Sequence, residues 1–169
     1  MKRFSLVFAL IATFFLGFAF SRNMITSNHN HMKKVTGIGG IFFKSKDPKA
    51  TNEWYKKHLG FDTTPYGTSF EWLQANDSAK KGLTQWNLFD EHTTYFAPSE
   101  KEFMINYTVD DLEALVVELR KENVTILDEL ESSDYGKFIH IMDPEGNKIE
   151  LWESNDTQYG DMVGTVVTK

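Results

Sequence analysis

Tyr135-Gly136-Lys137-Phe138-Ile139-His140-Ile141-Met142-Asp143-Pro144-Glu145-Gly146-Asn147-Lys148-Ile149-Glu150-Leu151-Trp152 sets two apolar runs on either side of a five-residue turn. Asp, Pro, Gly and Asn favour turn geometry through an Asx hydrogen bond, a fixed φ, or tolerance of positive φ. The runs therefore read as strands of one hairpin over 137–142 and 148–152. With 143–147 as the turn, Met142 faces Lys148 and His140 faces Glu150. Opposed residues share a face, so His140 and Glu150 point the same way, and a slip of one residue would separate them.

Outward from this hairpin the chain reads as two similar halves. In the second, 103–109 is an apolar strand, and Asp110-Asp111 caps a helix with Leu112, Leu115, Val116 and Leu119 at helical spacing. Asn123 follows where left-handed geometry is wanted, and a strand at 124–127 leads to the hairpin. In the first half, Ile38-Gly39-Gly40-Ile41-Phe42-Phe43 reads as a strand. Asp47-Pro48 then opens a helix over 49–58, which turns Ala50, Trp54 and Tyr55 toward a core, and Gly60 ends it. Strands are predicted at 61–65, 69–74 and 83–89, and 91–101 connects the halves. The fold class is α+β: two βαβββ modules, each too small to bury a core alone, pairing as curved sheets around a shared cavity.

Three phrases in this order resemble the vicinal-oxygen-chelate superfamily, which includes glyoxalases, bleomycin-resistance proteins and extradiol dioxygenases. They are Lys46-Asp47-Pro48 with Trp54-Tyr55 and Leu59-Gly60-Phe61; Val109-Asp110-Asp111-Leu112-Glu113-Ala114-Leu115; and the hairpin phrase itself. The resemblance covers nearly everything after Lys33. It implies a domain over 33–154 and, in metal-using members, ligands from the first, fourth, fifth and eighth strands. Those positions fall here on Gly40, Gln85, Met104 and Glu150. Only Glu150 is a residue that such a site normally uses, so one divalent metal ion is a possible cofactor with an incomplete ligand set. The resemblance also implies a homodimer and a small-molecule ligand.

Around Glu150 the alternation of strand residues assembles a polar cluster. Gln85 and Asn87 share a face, as do Met104, Asn106 and Thr108. His140 and Glu150 form a candidate catalytic pair, an imidazole beside a carboxylate whose proton affinities respond to their surroundings. The plainer alternative is a hydrogen-bonded histidine beside an inherited glutamate. Trp72, Trp86 and Trp152 join Gln85, Asn87 and Asn106 as candidate ligand-binding residues, although rings at alternating strand positions are also ordinary core.

A net charge of -6 gives no basic footprint for nucleic acid, and the lack of cysteine excludes disulfides, thiol nucleophiles and zinc–cysteine sites. Lys2 and Arg3 precede an apolar run over 4–20, so 1–21 reads as a signal peptide or as an uncleaved membrane anchor. Translation from Met32 is a third reading. The protein is then periplasmic or extracellular in the first case, held at a membrane in the second and cytoplasmic in the third. A polar linker over 22–32, with His29 and His31, and a tail over 155–169 flank the domain. Three functions follow: a metal-poor small-molecule-binding protein, a lyase or isomerase using Glu150 and His140 with a divalent metal at a non-standard site, or a non-catalytic interaction domain.

Overall fold

The computed structural model of the chain describes residues 35–74 and 77–155. The segment 1–21, the linker 22–32 and the tail from 156 onward lie outside the described residues. The elements are β1 (Gly37–Ser45), α1 (Pro48–Leu59), β2 (Thr68–Gln74), β3 (Asp77–Asp90), β4 (Phe103–Thr108), α2 (Leu112–Lys121), β5 (Thr125–Ile126), β6 (Glu131–Ser133), β7 (Gly136–Met142) and β8 (Lys148–Ser154). The strands form one curved, unclosed sheet in the order β2-β3-β1-β4-β8-β7-β5, with β6 on β7. In each half the first and last strands run parallel, β1 with β3 and β4 with β8. The halves join through the antiparallel pair β1–β4.

Both helices start as the sequence implies. Asp47 and Asp111 each accept a hydrogen bond from the backbone N–H three residues on, at 2.9 Å, which satisfies a donor that the helix cannot. Gly60 closes α1 at φ 73°, and Asn123 takes φ 58° after α2. The apolar stripe of α2 (Leu112, Leu115, Val116 and Leu119) is buried with Val109, Ile139 and Leu151. Each such side chain contributes about 1.5–3 kcal/mol relative to exposure, so this half holds the larger aliphatic core.

The α1 side is held by rings. Tyr55 lies 4.6 Å from Trp86, and Phe61 lies 5.3 Å from Trp86 and 5.2 Å from Phe70. The buried residue of α1 is Asn52, while Ala50 is exposed and Trp54 is 53% exposed. Of the three residues expected to face the core, only Tyr55 does. The expected strand at 61–65 is also absent. Thr64 and Gly67 exchange backbone hydrogen bonds in a tight turn around Pro65, and proline withholds a ladder donor there. Phe61 is committed instead to the ring cluster.

Candidate functional site

The hairpin that decides the fold also places the site. Asp143 Oδ1 accepts from the backbone N–H groups of Glu145 and Asn147, at 2.9 and 2.8 Å, and Gly146 takes φ 76°. These bonds, with one from the Asn147 side chain as the largest cause, hold the Asp143 carboxyl below its usual range. The turn fixes the ladder so that His140 pairs with Glu150 and Met142 with Lys148.

From Glu150 the register can be followed across the sheet. Glu150 pairs with Asn106, Asn106 with Gly40, Gly40 with Gln85, and Gln85 with Ser69. A single row thus crosses six strands: Ser69, Gln85, Gly40, Asn106, Glu150, His140. It lies on the face opposite the helices. The expected fifth-strand position, Met104, lies one row away, opposite Phe42, and the row position is Asn106. A bulge between Ile38 and Gly40 shifts the β1–β4 register by one residue.

Glu150 is 4% exposed and its carboxylate accepts from three side chains. Asn106 Nδ2 donates to Oε2 at 2.5 Å, while His140 Nε2 and the Tyr95 hydroxyl both meet Oε1, the histidine at 3.0 Å. The other ring nitrogen of His140 lies 2.5 Å from Asp128 Oδ2, and its backbone N–H donates to Asp128 Oδ1 at 2.8 Å. Asp128, His140, Glu150 and Tyr95 therefore form one chain of hydrogen bonds, buried in the middle and partly open at both ends.

The charges follow from this chain. Burial works against ionisation of both Glu150 and His140. For Glu150 the donors His140, Tyr95 and Asn106 outweigh it and lower the carboxyl's pKa. For His140 the carboxylates of Glu150 and Asp128 outweigh it and raise the imidazole's pKa. Tyr95 is pushed well above the usual phenol range, first by burial and then by the negative charge of Glu150. These surroundings favour the charged forms of Glu150 and His140 and the neutral form of Tyr95.

Tyr95 belongs to the connector between the halves, which is built into the site. Phe96 is fully buried, Lys148 Nζ donates to the Tyr95 carbonyl at 2.7 Å, and Ser99 Oγ donates to the Gly146 carbonyl at 2.6 Å. The Tyr95 ring is stacked on Phe89 at 5.5 Å and meets the His140 ring edge-on at 5.6 Å. Lys148, 8% exposed, lies 5.0 Å from the centre of that ring, and burial lowers its pKa.

The candidate residues separate by face. Gln85, Asn106, Glu150 and His140 stand in the row, with Asn87 one step beyond Gln85. Trp152 stands one step beyond Glu150, stacked on Phe138 at 5.9 Å. Trp86 is corrected: it alternates with Gln85 and packs under α1 against Tyr55 and Phe61. Trp72 donates to Thr84 Oγ1 at 3.0 Å and covers Gly37, beside Thr108, and Gly82. Tyr95, Asp128 and Lys148 were not among the expected site residues. The aromatic pair Tyr95-Phe96 within a polar connector was the available signal, since a loop rarely carries rings without packing them.

Among the described residues no three His, Cys, Asp or Glu side chains gather as a metal cluster. No curated protein matches the chain. Among solved structures, a methylmalonyl-CoA epimerase in complex with methylmalonyl-CoA and NH4+ is 21% identical. It aligns over 72% of this chain and 96% of its own, with a TM-score of 0.52. A variant of the Streptomyces coelicolor methylmalonyl-CoA epimerase in complex with 2-nitronate-propionyl-CoA is also 21% identical, over 72% and 99%, with a TM-score of 0.52. The Mycobacterium tuberculosis methylmalonyl-CoA epimerase is 21% identical over 78% and 97%, with a TM-score of 0.49. At such identity the likeness concerns the fold. The family model for the Glyoxalase/Bleomycin resistance protein/Dioxygenase superfamily matches residues 37–151, more than half of the sequence, and the chain belongs to that superfamily.

Proposed function

We propose that this domain binds a small molecule on the row face around Glu150 without the divalent metal of the family's metal-using members. The observation that carries this reading is the donor set. At the paired positions of the two halves stand Gly40, Gln85, Asn106 and Glu150, of which one is a carboxylate and one has no side chain. Both lone pairs of Glu150 Oε1 already face donors, and Asn106 turns its NH2 rather than its oxygen toward Glu150. A hard divalent ion needs several anionic or carbonyl oxygens converging on one point, and these residues do not fit it. No step is assigned to a metal.

The test combines elemental analysis of the purified chain, prepared without chelator or histidine tag, with ligand screening of wild type and Glu150→Gln. Ligand binding with no stoichiometric metal, even after incubation with nickel, zinc, iron and manganese, is expected. One tightly held metal per chain, lost in Glu150→Gln, would overturn the reading.

A second reading, acid–base catalysis of the lyase or isomerase type, is favoured by Tyr95 and His140 meeting the same oxygen of Glu150. Under it, Glu150→Gln abolishes turnover while leaving ligand affinity within a few-fold. A non-catalytic interaction domain is the third reading, and it requires that no small molecule bind the row face. By family precedent we also propose a homodimer, checked by sedimentation equilibrium. Export is proposed on the basic start and apolar run at the N-terminus, checked by fractionating cells that express the full chain.

A further inference from the structure

Counting donors and acceptors along the row shows an imbalance. The amide NH2 of Asn106 is on Glu150, that of Gln85 on the Tyr66 carbonyl, the Tyr95 hydroxyl on Glu150 and the Lys148 ammonium on the Tyr95 carbonyl. Both ring nitrogens of His140 face carboxylates. Each side-chain donor group of the row, and the adjoining Lys148, thus already has an acceptor. The acceptors are in surplus. Asn106 Oδ1 and Asn87 Oδ1 are buried with no partner, and Glu150 Oε2 receives only Asn106.

The orientation of Asn106 is not a free choice. Its nitrogen must be the atom toward the carboxylate, because two oxygens there would repel, so its oxygen is the orphan. Asn106 is 3% exposed, and a buried acceptor left unpaired costs about 1–3 kcal/mol. Such a group in a native fold calls for a missing partner. Asn52 carries a third orphan oxygen, but it belongs to α1, on the other face of the sheet.

Asn87 and Asn106 stand on the strands flanking β1, whose residues between them are Gly40 and Phe42. A side chain at Gly40 would meet the tip of the Phe42 ring at 2.5 Å, so that ring lies folded back over the glycine. Neither Gly39 nor Gly40 has a side chain, so beside Glu150 β1 is covered by the Phe42 ring over Gly40 and by Asn106 Oδ1, which stands 2.2 Å from where a Gly39 Cβ would be.

We propose that the row binds a ligand through a hydrogen-bond donor head group, best a protonated amine or amidinium, accepted by Asn106 and Asn87 with Glu150 supplying the negative charge. This rests on the binding function proposed above and names its ligand class. A carboxylate or an ester head group would bring further acceptors to the orphan oxygens of Asn106 and Asn87.

The experiment titrates the full chain with benzylammonium, benzoate and methyl benzoate, reading the side-chain amide signals of Asn87 and Asn106 by NMR and the affinities by calorimetry. Benzylammonium is expected to bind and to shift both amides, with affinity falling at least about tenfold in Asn106→Leu and, separately, in Asn87→Leu. The comparison of probes on wild type needs no variant to fold. Binding of benzoate or methyl benzoate on this face, with benzylammonium inert, would overturn the ligand class and leave the binding function standing. Benzylammonium affinity unchanged in a folded variant of either asparagine would also overturn it. No binding of any probe at millimolar concentration would overturn both.

Discussion

Removing one oxygen atom tests the reasoning about Glu150 most directly. Tyr95→Phe deletes the hydroxyl that meets Glu150 Oε1 and leaves the ring on Phe89 and His140. A hydrogen bond to a charged group contributes about 1.5–3 kcal/mol. Tyr95 is 41% exposed, so water can partly replace the lost donor, and the lower end of that range is expected. At about 1.5 kcal/mol the folded-to-unfolded ratio falls roughly twelvefold and the melting temperature drops by about 6 °C for a domain of this size. The assay is urea unfolding at pH 7, followed by tryptophan fluorescence and circular dichroism, with the m-value unchanged. With one donor fewer, the carboxyl of Glu150 protonates more readily, so the acid limb of the stability profile moves to higher pH in the variant. A loss below about 0.5 kcal/mol with no shift of that limb would refute the claim that Tyr95 stabilises a buried carboxylate.

Further outcomes follow from the same structure. A Cβ at Gly39 would stand 2.2 Å from Asn106 Oδ1, so Gly39→Ala should push that amide off Glu150. It should destabilise the domain by about 1–3 kcal/mol and move the Asn106 side-chain amide signals. His140 has a raised pKa, so its contribution is complete below its usual value near 6.5 and is lost as pH rises through the folded value. The stability gap between wild type and Asp128→Asn should therefore be widest in mild acid and narrow toward alkaline pH, in urea titrations across that window. Leu115→Ala in the α2 core should cost about 2–5 kcal/mol, measured the same way, with no change in ligand class. Trp86→Ala should destabilise by about 3–5 kcal/mol, while the affinity of a ligand on the opposite face changes by less than about threefold.

Much of the fold could be read because local chemistry and long-range pairing agree. Asp47, Asp111, Gly60 and the turn at 143–147 all do in three dimensions what their residue types favour, and the turn length alone fixes His140 opposite Glu150. Strand alternation also put Asn106 with Glu150's face once β4 was recognised. The failures have separate causes. Periodicity cannot see a bulge, so the one-residue shift at Gly39 hid the pairing of Asn106 with Gly40. Tryptophan suits either face of a sheet, and only parity relative to Gln85 separates Trp86 from the site. Asp128 and Tyr95 reach the site from loops, where no period marks which way a side chain points.

The three donors that keep Glu150 ionised come from very different distances along the chain. His140 is ten residues away, Asn106 is 44 and Tyr95 is 55. Contacts of such separation form late, because the intervening loop must close before they contribute anything. During folding the hairpin of β7 and β8 therefore brings histidine and glutamate together early, while the carboxylate is still in water. Its burial has to wait for β4 and for the connector. A chain in which the two halves have each formed but not docked has His140 and Asn106 on Glu150 already, because all three belong to the second half, and lacks β1, which pairs with β4 on the other side of Asn106.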